Sequence, residues 1–213
     1  ESPETQTLVW GRLLELENDS GASLLRKEII AKIYYENPGQ LIDLVERVPT
    51  GPERDSLAEQ VVQGMVKNAR PRSGSHDPQG KVEHEENLLG MVSATPRDWQ
   101  GKLIEEAFKE LKDDHFLHSE HLDRWESYFD FLPEAGRQDA AKKIAFGIGR
   151  RSPEKMDPFF SSLKTENERF HAGAAYVGSF RGFDIEIGTR WLANTPMTET
   201  LRTKIRVETD PWK

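Results

Sequence analysis

One pattern recurs four times along this chain, and it calls for helices stacked on helices. Leu57, Ala58, Val61, Val62 and Met65 fall at i, i+1, i+4, i+5 and i+8, the stripe of a helix buried along one broad face. The stripe returns as Leu103, Ile104, Ala107, Phe108 and Leu111, then as Ala140, Ala141, Ile144, Ala145 and Ile148, and again as Ala172, Gly173, Tyr176, Val177 and Phe180. The segments ahead of these stripes also match. Leu41, Leu44, Val45 and Val48 reappear as Trp125, Tyr128, Phe129 and Leu132, and as Met156, Phe159, Phe160 and Leu163. First-helix offsets of 84 and 115 residues accompany second-helix offsets of 83 and 115. A lone stripe would fit any helix bundle, whereas two stripes in one register describe a repeated helical pair.

Proline punctuates the pattern. Eight of the twelve prolines follow a residue of helix-capping type: Ser2-Pro3, Asn37-Pro38, Asp77-Pro78, Thr95-Pro96, Ser152-Pro153, Asp157-Pro158, Thr195-Pro196 and Asp210-Pro211. A cap side chain accepts from an orphan N–H of the first turn, and proline at the first helical position has no N–H to leave unpaired. Most of these pairs read as helix starts. Together with the stripes they predict helices over 5–17, 20–36, 38–48, 52–68, 82–94, 97–112, 119–132, 136–151, 154–164, 167–181, 184–194 and 197–208. Connections are short, as in antiparallel hairpins. The exception is "ARPRSGSHDPQGK" at 69–81, whose Arg, Ser, Gly and Pro content predicts a mobile loop. "FDIEIGTRW" alternates as a strand would, but it lies between helical patterns and is read as helix.

Short phrases mark the hairpins: Asn37-Pro38, then Val48-Pro49 with Gly51 and Arg54, echoed by Leu132-Pro133 with Gly136 and Arg137. This arrangement is similar to degenerate HEAT- or TPR-like helical-repeat proteins of bacteria, over most of residues 29–208. The resemblance implies an all-α fold: a right-handed α-solenoid of about five to six antiparallel hairpins and about 12 helices, with residues 1–213 as one helical-repeat domain. Successive second helices are spaced by 46, 37 and 32 residues, less regular than an ideal TPR or ankyrin array. In the predicted helix 197–208, Leu201 and Ile205 keep the apolar face while Arg202 and Arg206 interrupt it, as a polar C-terminal capping helix would.

Composition excludes several function classes. A net charge of -8 argues against a general nucleic-acid binder, because nonspecific affinity comes from Lys and Arg neutralising phosphates. The absence of cysteine removes disulfides, thiol catalysis and thiolate zinc sites. No apolar run approaches the roughly 18 residues of a membrane span. A soluble protein is expected, in the cytoplasm or exported. The chain opens on Glu1 rather than Met, so an N-terminal segment is expected to have been removed by processing or by choice of the expressed span, and the compartment stays open.

Arginine is the residue that recurs outside the stripes. Arg54, Arg137 and Arg169 each precede a second-helix stripe by three residues, near a helix N-terminus where the dipole disfavours a cation; Gln100 breaks the ladder. Each needs compensation, from a carboxylate of an adjacent hairpin or from an anionic ligand or partner along one edge. Trp99 is expected to be exposed at a helix start and joins the arginines as a partner-binding candidate, whereas Trp125 and Trp191 are expected in the core. Trp10 and Trp212, near the two ends, are read as packing over terminal repeats or as contacts.

"DDHFLHSEHLDRW" at 113–125 offers the metal-ligating types Asp114, His115, His118 and His121 at helical spacing, without a specific zinc signature. A solvated, pH-sensitive surface explains the same residues. "FGIGRR" at 146–151 lies in a helical pattern, so Gly147 reads as a close-packing position rather than part of a phosphate loop, and Ser179 lacks a nucleophile-elbow context. The functional expectation is a noncatalytic scaffold or protein-interaction module, with a protein or peptide partner and no cofactor. The alternatives are a HEAT-like DNA-repair glycosylase drawing on Asp123, Trp125, Arg150, Arg151 and Trp191, and a metal-binding role for the 113–123 cluster.

Overall fold

The structure is a computed structural model that describes residues 3–16, 20–33, 38–70, 78–111, 117–118, 120–182 and 184–210. These residues are helical, with no strand among them. The chain divides into two compact units, Glu1–Arg70 and Pro71–Lys213.

The first unit holds α1 (Pro3–Leu14), α2 (Ser20–Ile33), α3 (Pro38–Glu46) and α4 (Pro52–Asn68). Helix α1 packs on α2, α3 packs on α4, and α2 touches both members of that second pair. Trp10, Ile30, Leu41, Val45, Leu57 and Val61 fill its core. Arg26 on α2 lies in this core and forks onto Glu53 of α4, with Nε–Oε1 at 2.7 Å and Nη2–Oε2 at 2.9 Å. Its Nη1 donates to the Leu13 carbonyl near the end of α1 at 2.5 Å. Leu8, Val9, Leu24 and Leu25 of α1 and α2 stay exposed.

The second unit contains α5 (Pro78–Ala94), α6 (Arg97–Glu110), α7 (Leu122–Tyr128), α8 (Glu134–Arg151), α9 (Met156–Ser162), α10 (Glu166–Ser179), α11 (Ile185–Asn194) and α12 (Glu199–Glu208). Three-residue 3-10 turns extend α7 through Phe131 and introduce α9 from Pro153. The second helices follow one another: α6 packs on α8, α8 on α10, and α10 on α12. Helices α5, α7 and α9 pack on the second helices that follow them, and α11 packs on α10. Two glycines let the second helices approach closely. A Cβ on Gly149 would overlap Ser179 Oγ across the α8–α10 contact, and one on Gly173 would overlap Ile205 across α10–α12.

The stripes are the core. Every stripe position named above is buried except Tyr128 and Val177, which are half-buried. Several helix starts lie elsewhere than the prolines suggest. Helix α5 begins at Pro78, so residues 78–81 are helix rather than the end of the expected loop; 71–77 of that loop lie outside the described residues. Pro96 is itself the N-cap of α6, and Thr198 rather than Thr195 caps α12, its side chain accepting from the Leu201 N–H. Pro158 lies inside α9 at its third residue, where the first turn has no intrahelical use for the missing N–H. "FDIEIGTRW" contributes α11.

Candidate functional site

In the second unit the arginine ladder is a set of bonds across the turn of each hairpin. In the second unit the fourth residue after the N-cap of every second helix is Gln100, Arg137, Arg169 or Arg202. Each reaches back to carbonyls at the end of the preceding helical segment. Gln100 Nε2 donates to Thr95 O at 3.1 Å, and Arg137 Nη1 to Phe129 O at 3.5 Å. Arg169 donates twice to Leu163 O, at 3.1 and 2.9 Å, and Arg202 donates to the carbonyls of Leu192 and Thr195. The cation at the start of one helix thus covers the orphan carbonyls, and the negative dipole end, of the helix before it.

Arg137 does more. Its Nε donates to Glu168 Oε1 at 2.6 Å, its Cζ stands 4.4 Å from the Phe129 ring centroid, and Asp130 lies 3.5 Å from Nη1. Glu168 completes a capping box with Thr165, its Oε2 accepting from the Lys164 and Thr165 N–H groups at 2.8 and 3.2 Å. Burial alone would push the Glu168 carboxyl up, but the Arg137 hydrogen bond and these backbone donors outweigh it and hold it below the ordinary value of 4.5. The Thr165-x-x-Glu168 spacing announces this box in the sequence, although the apolar stripes draw attention elsewhere. In the first unit a buried arginine also meets a carboxylate, the bidentate Arg26–Glu53 fork, where Arg137 gives Glu168 a single bond. Arg54, by contrast, lies three residues after its N-cap Gly51, and its half-buried side chain makes no hydrogen bond or ion pair among the described residues.

Trp99 corrects an expectation. It lies one turn ahead of Leu103 and two ahead of Ala107, which extends the buried stripe, and its side chain is 6% exposed. No aromatic face is offered to a partner there. Trp125, drawn into the DNA-enzyme alternative, is fully buried: its Nε1 donates to Glu85 Oε2 at 3.3 Å and its ring packs on Phe108. Trp191, expected in the core, is half-buried: its Nε1 donates to Asp157 and its ring packs against Phe160 and Tyr176. Asp123 is exposed beside Lys155, and Arg150 and Arg151 are exposed at the end of α8.

Of the metal-ligand candidates, Asp114 and His115 lie outside the described residues. His118 and His121 meet at the buried Glu85 of α5. The His118 backbone N–H donates to both carboxylate oxygens at 3.1 and 3.0 Å, and His121 Nδ1 lies 3.3 Å from Oε2. His118 Nδ1 stands 3.2 Å from Glu120 without hydrogen-bond alignment, and the two imidazole centroids are 6.0 Å apart. Among the described residues no group of three or more His, Asp or Glu is arranged to hold a metal ion. Glu85 fastens the segment before α7 to α5.

The second unit has a groove over α8, α10 and α12. It comprises two cavities of about 610 and 580 Å³ that share Phe170 and Glu208. The larger is lined by Asp139 and Lys142 of α8, by His171, Ala174 and Gly178 of α10, and by Arg181. The smaller lies between α10 and α12, with Glu166, Thr203, Lys204 and Val207 around Phe170. Side-chain length at the non-stripe positions of α10 explains the depression. His171, Ala174, Ala175 and Gly178 occupy the register of Asp139, Lys142, Lys143 and Phe146 in α8, and of Lys102, Glu105, Glu106 and Lys109 in α6. Only α10 places Ala, Ala and Gly where its predecessors carry long side chains. That contrast lies in the sequence itself, at positions outside the buried stripes.

Burial, with Asp157 and Glu154 nearby, pushes the Tyr176 hydroxyl up to about 12, and it donates to the Pro153 carbonyl at 3.3 Å. Among the described residues no helix is long and apolar enough to cross a membrane. The described residues are all-helical, and their second unit carries a surface groove. It matches no protein-family model, and comparison with curated proteins and with solved structures finds no match either.

Proposed function

We propose that this chain is a noncatalytic interaction module of HEAT-like helical hairpins, and that the groove over α8, α10 and α12 is its working surface. The observation that carries this reading is the small-residue face of α10, Ala174, Ala175 and Gly178, bordered by longer side chains on both neighbouring helices. Successive second helices lining one surface is the arrangement by which helical-repeat proteins present extended binding faces. The arginine ladder is assigned to packing, since Arg137, Arg169 and Arg202 are committed to carbonyls within their own hairpins.

Filling the groove tests the proposal. Ala174 is half-buried and faces the groove, so Ala174→Arg is expected to preserve helicity. In a pull-down quantified by mass spectrometry, a partner held by the native chain and lost by folded Ala174→Arg supports the groove. A partner retained by that variant, or lost instead with Arg54→Gln, moves the working surface elsewhere.

A further inference from the structure

Resting on that reading, we infer that Trp212 of the same chain seats in the smaller cavity, between α10 and α12, and that a partner must displace it. Pro211, Trp212 and Lys213 follow Asp210 and lie outside the described residues. Asp210 itself is held at the groove. Arg181, on the lining of the larger cavity, donates through Nη2 to the backbone carbonyls of Glu208 and Asp210 at 3.2 and 3.4 Å, which keeps the chain after α12 against the groove's edge. Glu208 lines both cavities, and Thr209 lines the larger.

Reach follows from this anchor. Trp212 is two residues beyond Asp210, at most about 7 Å of backbone, so its indole stays close to a cavity whose lining includes Glu208. Proline at 211 narrows the paths open to that short link. A side chain tethered so closely is present at an effective concentration in the millimolar range, and even a weak site is then filled.

The cavity has the chemistry of an indole site. Phe170 forms its wall, half-buried and edge-on to His171 at 5.2 Å, and Val207 is 50% exposed. An indole laid on these groups gains an aromatic pair and buries both apolar side chains from water. Charge calls for a neutral occupant. Glu166 is engaged by Lys204 at 2.9 Å, and over the whole lining Asp139, Glu166 and Glu208 balance Lys142, Arg181 and Lys204. Because the two cavities share Phe170 and Glu208, Trp212 seated in one obstructs a partner laid along both. Partner binding and release of Trp212 are then one event, and the partner's affinity is lowered by the fraction of chains with the seat filled.

The test uses the full chain labelled with fluorotryptophan and reads fluorine NMR in the presence of a soluble gadolinium chelate. Trp212→Phe assigns the resonance, and the buried Trp99 and Trp125 supply shielded references. In the native chain Trp212 is expected to relax within about twofold of those references, and about fivefold faster in Phe170→Ala and in Thr203→Arg, which removes the wall or fills the cavity from the exposed side of α12. Circular dichroism confirms the fold of each variant. A Trp212 open to the chelate in the native chain, or shielded and indifferent to both substitutions, overturns the inference and leaves the groove reading to the Ala174→Arg experiment. Trp212→Ala should also recover more of a partner that Ala174→Arg loses, and unchanged recovery overturns the competition. A shielded Trp212 released by Phe170→Ala, beside a partner retained by Ala174→Arg, upholds the seat and overturns the groove as the partner's surface.

Discussion

Arg137 shows what a single side chain decides here. Its guanidinium is buried with Glu168, so truncating it leaves a carboxylate in the interior with its main partner gone. Arg137→Gln is expected to cost about 3 to 5 kcal/mol in urea denaturation. Arg54→Gln, at a side chain with no polar partner among the described residues, should fall within about 0.5 kcal/mol of the native chain. Equal losses at the two positions would refute the distinction between them. Glu168 adds a pH dependence of known sign. Because its folded value lies below 4.5, its contribution is complete above that pH and disappears as pH falls through the lower, folded value. Stability measured across that acid range should drop for the native chain, and the drop should be smaller in Glu168→Gln. Arginine at these positions was visible in the sequence together with its need for compensation. The partner was not, because Glu168 lies 31 residues further on and only the packing of α10 against α8 brings it into reach.

Among the elements, the second helices carry the most specific packing, and two glycines of like composition have opposite roles. Gly149 sits where α8 presses on Ser179 of α10, and Gly149→Ala should destabilise by about 1 to 3 kcal/mol through overpacking. Gly178, on the groove side of α10, has open space around an added Cβ, so Gly178→Ala should stabilise by about 0.5 to 1 kcal/mol through helix propensity. Thermal melts of both variants check the pair; the same sign for both would mean that the close contact does not govern the α8–α10 approach. Existence and type of the helices were legible because a 3.6-residue apolar period is a local property. Their starts were less so. Proline tolerates the N-cap, the first residue and the rest of the first turn, so Thr95-Pro96, Asp157-Pro158 and Thr195-Pro196 marked neighbourhoods rather than boundaries.

At the scale of the whole chain, the units Glu1–Arg70 and Pro71–Lys213 each bury an apolar core of their own. Residues 71–213 expressed alone should keep their helical circular dichroism and melt cooperatively; a non-cooperative, largely unfolded fragment would show that this core depends on the first 70 residues. The groove belongs to this unit. The sequence by itself determined that the chain is helical and which faces are apolar, since each follows from periodicity within a few turns. Tertiary structure alone decided that Trp99 is interior, that His118 and His121 attend a buried Glu85, and that short side chains on α10 become the floor of a groove. A period shows which side of a helix avoids water. Which neighbour covers that side, and what is left open on the other, depends on contacts between residues far apart in the chain.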